Sequence, residues 1–236
     1  MSKYPISKQF GMFSRFTPPW NRAAFSLASV LLKCVPKHAR GVTIKKFKAE
    51  GVPLTVMLPK CNTGHAKLPC LVYFHGGGMV FRAAPYHYRN AAIYAREAGC
   101  AVVMLDYHLA YKCGYPAAHE DCLSALRWTV QNAARLNIDS SRIAVGGDSA
   151  GGLLAADIAR AEGAHFLFLV YPVLDRRCGT HTMRTYTDTP MWNAALNKEM
   201  WQLYLAGNSD YVSPAECDAG ALPDAYIETA EFDCLK

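Results

Sequence analysis

Gly147-Asp148-Ser149-Ala150-Gly151 lies between a short β-branched run, Arg142 to Val145, and an Ala/Leu-rich run, Leu153 to Arg160. Strand, glycine turn and helix form the context in which a G-x-S-x-G pattern acquires a mechanical meaning. A turn this tight holds the central serine in a sparsely allowed backbone region, and only small residues beside it let the two arms approach. Gly146, Gly147, Ala150, Gly151 and Gly152 supply that room. The bend lifts the Ser149 hydroxyl clear of the sheet and puts the Ala150 N–H at a helix N-terminus, where the dipole favours an anion. Glycine-rich strand-to-helix turns also bind phosphate, so this pattern alone leaves a phosphate site open.

A second element upstream narrows the choice. His75-Gly76-Gly77-Gly78 follows the apolar run Cys70-Leu71-Val72-Tyr73-Phe74, a strand leading into a glycine loop. Without Cβ atoms in the way, backbone N–H groups of such a loop can reach a carbonyl oxygen as it becomes an oxyanion. Gly77, Gly78 and Ala150 are the expected donors. The two loops together offer a nucleophile and a place for the charge it creates.

In this order the motifs resemble the hormone-sensitive-lipase-like branch of the α/β-hydrolases, the group that includes the family IV esterases. The resemblance rests on His75-Gly76-Gly77-Gly78, on Asp106 to Ala110 with Tyr115-Pro116-Ala117-Ala118 and Glu120-Asp121-Cys122, and on Gly147 to Gly152. It continues through Ser213-Pro214, Leu222-Pro223 and Thr229-Ala230-Glu231-Phe232-Asp233, so it spans about Val42 to Lys236. Two departures stand out: His108-Leu109-Ala110-Tyr111-Lys112 replaces the family's Arg-Leu-Ala-Pro-Glu, and Cys234 replaces the usual proline after the acid. The resemblance implies Ser149 as nucleophile and Asp233 as catalytic acid. His75, Gly76, Gly147, Asp148 and Gly151 would then support the motifs, His75 by orienting the glycine loop and Asp148 by bracing the elbow. Asp175 is a weaker candidate for the acid and is expected to cap the turn that follows it.

The triad of this fold runs Ser, then Asp or Glu, then His, and no histidine follows Asp233 in this sequence. A serine hydroxyl at neutral pH needs an imidazole to take its proton. Only His165 and His181 follow Ser149. His165 begins a strand and so falls at the wrong edge of a parallel sheet, whereas His181 is on the correct edge but precedes the acid. The expectation is therefore a truncated hydrolase domain, with the last strand, the last helix and the base lying beyond Lys236. Residues 1–236 alone should then turn esters over negligibly.

Composition agrees with an α/β enzyme domain. At 236 residues and 51% hydrophobic content the chain can bury one substantial core. The longest apolar stretch, Ala23 to Leu32, contains serines and is too short to span a bilayer. No secretory signal pattern opens the chain, and nine cysteines without metal-ligand spacing read as thiols of a reducing cytoplasm. No metal and no cofactor is expected. The net charge of +6 is uneven: residues 1–48 hold ten Lys/Arg and no Asp or Glu, leaving 15 Lys/Arg against 19 Asp/Glu beyond them. Such an arm suits an anionic membrane surface or its own acidic body. Nothing interleaves aromatic with basic residues as nucleic-acid binding would require.

Along the chain, Val42 to Phe47 and Pro53 to Leu58 predict an antiparallel pair about Glu50-Gly51. Strands at 71–74, 100–105, 142–145, 166–171 and 225–229 alternate with helices near 86–98, 117–136 and 153–160. The long second helix places Cys122, Leu126, Thr129, Val130 and Ala133 on one face. Alternation of this kind implies a mainly parallel sheet covered on both faces, in one domain: a basic N-terminal cap segment (1–41), a core (42–175), a cap insertion (176–224), and a strand and acid loop (225–236). In the insertion, Thr189-Pro190 and Gly207 delimit a helix whose stripe Trp192, Leu196, Met200, Tyr204 first suggests core packing. The resemblance adds a cap over the elbow, made with Trp20 to Val35, and makes Trp192, Met200 and Trp201 candidates for pocket lining.

The reading is hydrolysis of short-chain carboxylic esters through an acyl-enzyme, the partner being a small ester and a homodimer being compatible with it. Two other readings stay open: a ligand-binding relative without turnover, as in the plant gibberellin receptor, and an amidase or peptidase.

Overall fold

In the structure, a computed structural model describing residues 4–60, 66–218, 220 and 222–236, the alternating runs at 42–58 form an antiparallel hairpin. β1 (Val42–Ala49) and β2 (Val52–Pro59) pair from Ala49↔Val52 to Val42↔Pro59. Glu50 and Gly51 both have positive φ, 48° and 91°, as a two-residue hairpin turn requires. The remaining strands are β3 (Leu68–Phe74), β4 (Ala101–Leu105), β5 (Ile138–Asp148), β6 (Leu167–Val170) and β7 (Ala225–Glu228). They stand in the order β1-β2-β4-β3-β5-β6-β7; β2 meets β4 antiparallel, and from β4 through β7 every pairing is parallel.

Side-chain alternation splits the central strands between two apolar layers. Leu71, Tyr73, Val102 and Met104 face α2 (Pro85–Glu97), which buries Tyr88, Ala91, Ala92 and Ala95 against them. Cys70, Val72, Phe74, Ala101 and Val103 face the other way, in the larger cluster with α3 (Ala117–Gln131) and α4 (Ala150–Glu162). Helix α4 is buried over nearly its whole length, from Ala150 to Ala159, because it crosses the middle of the sheet directly behind the elbow. Strand β7 lies at the edge, with all four residues exposed.

Three expectations need correction. The helix after Ala117 ends at Gln131 and resumes only as a 3-10 turn, Ala134–Leu136, closed by Asn137 in the left-handed region. Val130 is 47% exposed and leaves the apolar face assigned to it; Thr129, wholly buried, returns its hydroxyl to Ala125 O. In the insertion, Thr189-Pro190 does not start the helix. Thr189 bonds Trp192 O instead, Met191 takes φ 67°, and α6 (Ala194–Leu205) begins three residues later on Asn193, whose side chain accepts from Leu196 N. Asparagine is among the strongest N-caps, which decides the boundary. The short α5 (His181–Thr185) precedes it, and α1 (Arg22–Cys34) belongs to the N-terminal segment. Residues 1–3, 61–65, 219 and 221 of the expected segments lie outside the described residues.

Candidate active site

Parallel pairing puts Phe74 opposite Gly147, so the loops leaving β3 and β5 emerge side by side at the C-terminal edge of the sheet. Ser149, at the N-cap of α4, has φ 53° and ψ −120°, a region where an L-residue stores about 1–3 kcal/mol of strain. Its backbone is clamped from several sides. Ser149 N donates to Val170 O at 2.9 Å, and Ser149 O accepts from Gly152 N at 2.9 Å and Val173 N at 3.1 Å.

Close approach explains the glycines. A Cβ on Gly151 would lie 2.0 Å from Phe74 O, and one on Gly147 would lie 2.3 Å from Gly151 O. A Cβ on Gly76 would meet Asp148 Oδ2 at 2.4 Å. Here the glycine loop and the elbow touch. Asp148 binds them together, accepting from Gly76 N at 2.9 Å, Tyr73 Oη at 2.7 Å and His87 Nε2 at 3.1 Å. Burial pushes its carboxyl upward, but the hydrogen bonds and charge of His87, with those of Tyr73 and Gly76, outweigh burial and hold it below its ordinary value.

His75 sits wholly buried beneath the loop. Its Nδ1 lies 2.7 Å from Gly76 O, its ring stacks on Tyr107 at 4.3 Å, and Tyr107 Oη donates to His75 O. Burial, with neighbouring His87 adding to it, pushes its pKa down to about 4, so the ring is neutral. Gly77 and Gly78 carry φ 114° and 59°, conformations that favour glycine. Gly77 O accepts from Val80 N and Phe81 N. Among the described residues nothing takes the N–H of Gly77, Gly78 or Ala150. Free amides on two touching loops are groups of the kind that can stabilise developing negative charge.

Aromatic rings close the approach from above. A Cβ on Gly78 would lie 2.8 Å from the Trp192 ring and 3.4 Å from the Trp20 ring. Trp20 meets Trp192 edge-to-face at 5.7 Å and Phe25 at 5.0 Å, and Phe25 meets Phe81 of the loop at 5.7 Å. Thus α1 and the segment before α6 both reach the glycine loop. Met200 and Trp201, grouped with Trp192 as pocket lining, are placed differently. Met200 is wholly buried in the core, and Trp201 joins Tyr204 and Tyr211 at 6.2 and 5.9 Å. The stripe of α6 faces the core, as its periodicity first suggested.

Asp233 lies past β7, and the parallel pairs Asp148↔Val170 and Val170↔Glu228 bring its loop to the same sheet edge as Ser149. It is half-buried, accepts from Leu235 N at 2.9 Å, and is raised above its ordinary value by burial. Asp175 accepts from Arg177 N at 2.9 Å, an Asx turn. His165 borders a cavity with Pro69 and Arg142 at the opposite edge. His181 is exposed, its Nε2 3.3 Å from Thr185 Oγ1. No described histidine hydrogen-bonds to Ser149 or Asp233. No described group of His, Cys, Asp or Glu is arranged to hold a metal, and no described helix is long and apolar enough to cross a membrane.

The bracing residues Tyr73, His87 and Tyr107 escaped sequence reasoning. His87 alone had a local signal: it is the third residue of a helix opened by Pro85, and its Nδ1 accepts from Ala84 N. A second buried acid lies behind the elbow: Asp157 of α4 accepts from Tyr211 Oη at 2.5 Å, and burial pushes it up to about 6.

His75 and Asp157 make opposite contributions to acid stability. The His75 contribution is present above its unfolded value near 6.5 and lost as pH falls to about 4; that of Asp157 is complete below 3.8 and lost as pH rises through about 6. Asp157→Asn removes only the second. The variant should melt higher than the parent at pH 7.5, and its melting temperature should fall more steeply between pH 6 and pH 4, measured by calorimetry.

A family model described as alpha/beta hydrolase fold matches residues 71–236. The carboxylesterase NlhH of Mycobacterium tuberculosis is 37% identical over 183 residues, covering 72% of this chain and 57% of its own. The chain thus spans a little over half the length of that curated relative. Esterase LipW of Mycobacterium marinum superposes with a TM-score of 0.81 at 29% identity, covering 95% of this chain and 77% of that one. A bacterial heroin esterase gives 0.74 at 33% identity, covering 91% and 74%. From these matches and the paired loops, the chain belongs to the alpha/beta-hydrolase family, in its hormone-sensitive-lipase-like branch.

Proposed function

We propose that this chain carries the nucleophile, oxyanion cradle and acid of a serine esterase acting on short-chain carboxylic esters. The observation that carries the reading is the contact between the two loops: a serine at φ 53° beside three amides that no described group takes up. Ser149 Oγ attacks the ester carbonyl, and its proton passes to an imidazole base oriented by Asp233. The N–H groups of Gly77, Gly78 and Ala150 hold the resulting oxyanion, each worth about 3 kcal/mol. The same imidazole protonates the leaving alcohol, and water then attacks the acyl-Ser149 ester and releases the acid. Asp233 orients the imidazole and stabilises its cation; the raised pKa of a half-buried carboxyl suits a group that gains a cationic partner. The rings of Trp20 and Trp192 limit the space over Gly78, which favours small acyl groups. The relatives support the substrate class: one, from Pseudomonas putida, is an ethyl acetate hydrolase.

Hydrolysis of nitrophenyl acetate compared with the matching anilide tests this reading. Ester turnover should exceed anilide turnover by orders of magnitude once a base is present, and residues 1–236 alone should show negligible turnover. Because no described histidine bonds Ser149 or Asp233, a ligand-binding role without turnover is the second reading. Robust hydrolysis by residues 1–236 that His181→Ala abolishes would reassign the base.

A further inference from the structure

Helix α1 is turned with its most apolar face outward. Phe25 and Ser29, on the inner face, are 2% and 6% exposed, whereas Leu27, Val30 and Leu31 are 62%, 59% and 56% exposed. Ala23 and Cys34 fall on that outer face by helical spacing and are exposed as well. The helix therefore spends its leucine stripe on solvent and a serine on the interior. The segment before it repeats the pattern: Phe10, Met12, Phe13 and Phe16 are all exposed, Met12 by 83%.

Within the segment itself the charge has one sign, although the carboxylate of Asp188 meets Tyr4 at its start. Lys8, Arg15, Arg22, Lys33, Lys37 and Arg40 are exposed, and the sequence has no Asp or Glu before Glu50. Beyond residue 48 the chain is net negative, and seven of the ten cations before it lie in residues 1–41, the part that shows the apolar side chains.

We propose that α1 and the preceding segment form an interfacial docking surface for a membrane containing anionic phospholipids. Leu27, Val30 and Leu31 enter the boundary between headgroups and acyl chains, and the flanking cations contact lipid phosphates and carboxylates. A second copy of this chain is a poorer occupant. Isologous packing through α1 would bring two wholly basic segments together with no acidic residue in either to oppose them. An anionic bilayer covers the apolar stripe and neutralises the cations at once. Phe25 of the same helix touches Phe81 of the glycine loop, and Trp20 just before the helix packs over Gly78, so docking at this face places the approach to Ser149 near the lipid surface.

Vesicle co-sedimentation of the full chain tests the proposal. The parent should bind phosphatidylcholine vesicles containing about one-third phosphatidylserine about a hundredfold more tightly than vesicles of phosphatidylcholine alone, as three cations at about fivefold each would give, and lose that preference in high salt. Leu27→Gln with Leu31→Gln should abolish binding, and Arg22→Gln with Lys33→Gln should weaken it about fivefold per charge removed. All four side chains are exposed, and unchanged circular dichroism spectra will show that the variants fold. Equal affinity for neutral and anionic vesicles, or binding that survives Leu27→Gln with Leu31→Gln, would overturn the proposal. So would a dimer in sedimentation that those changes dissolve while no vesicle is bound. Ser149→Ala should bind vesicles like the parent, so failure here leaves the hydrolytic reading intact.

Discussion

Ser149→Ala, with a histidine base in place, is expected to reduce kcat for nitrophenyl acetate by about four to six orders of magnitude, leaving only what the oxyanion cradle and binding supply. The same position should separate activity from stability. Alanine keeps the Cβ at φ 53°, so its melting temperature should stay close to that of the parent. Glycine relieves the strain of a left-handed L-residue, about 1–3 kcal/mol before its own entropic cost. Ser149→Gly should therefore be inactive and melt about 2–4 °C higher. If it melts lower, the elbow is not strained in the way its dihedral angles indicate.

Gly151→Ala should be the most damaging Gly→Ala change among the described residues. The added methyl would sit 2.0 Å from Phe74 O and 2.7 Å from His75 O, both backbone atoms that no side-chain rotation can move aside. Either the glycine loop separates from the elbow or α4 shifts off the sheet. A cost above about 4 kcal/mol is expected, of the order of half the stability of a typical domain. Thermal unfolding should fall by more than about 10 °C, with much of the protein insoluble on expression. Gly179→Ala is the matched control, since the nearest atom to its new methyl is Arg177 O at 3.9 Å; its midpoint should move by no more than about 2 °C.

What could be read from the sequence follows how local its causes are. The hairpin at Glu50-Gly51 and the apolar strands at 71–74 and 100–105 announce themselves through alternation, apolar runs and turn residues. Those signals act within a few residues. The elbow was legible because its steric demand is met by neighbours in sequence. By contrast, Asp148 meets Tyr73 and His87 across 75 and 61 residues, and only the register of β3 with β5 and the seating of α2 bring them together. The start of α6 was misplaced because Thr189-Pro190 and Asn193 are both plausible openings, and the tertiary fold selects Asn193. Trp192, Met200 and Trp201 show the limit of a resemblance: it makes all three candidates for pocket lining, but only packing distinguishes the ring over Gly78 from side chains in the core. The outward leucine face of α1 was equally hidden, since a sequence shows that a helix is amphipathic but not which face it buries.

The central claim is that the Ser149 hydroxyl and the free amides of Gly77, Gly78 and Ala150 address one carbonyl. A crystal structure with an alkylboronic acid tests it most directly, because boron adds to a serine oxygen and mimics the tetrahedral intermediate. The account predicts boron bonded to Ser149 Oγ and one boronate oxygen about 2.7–3.1 Å from at least two of the three amide nitrogens. A boronate bonded at Ser149 with no oxygen near those amides, or bound at another residue, would contradict it.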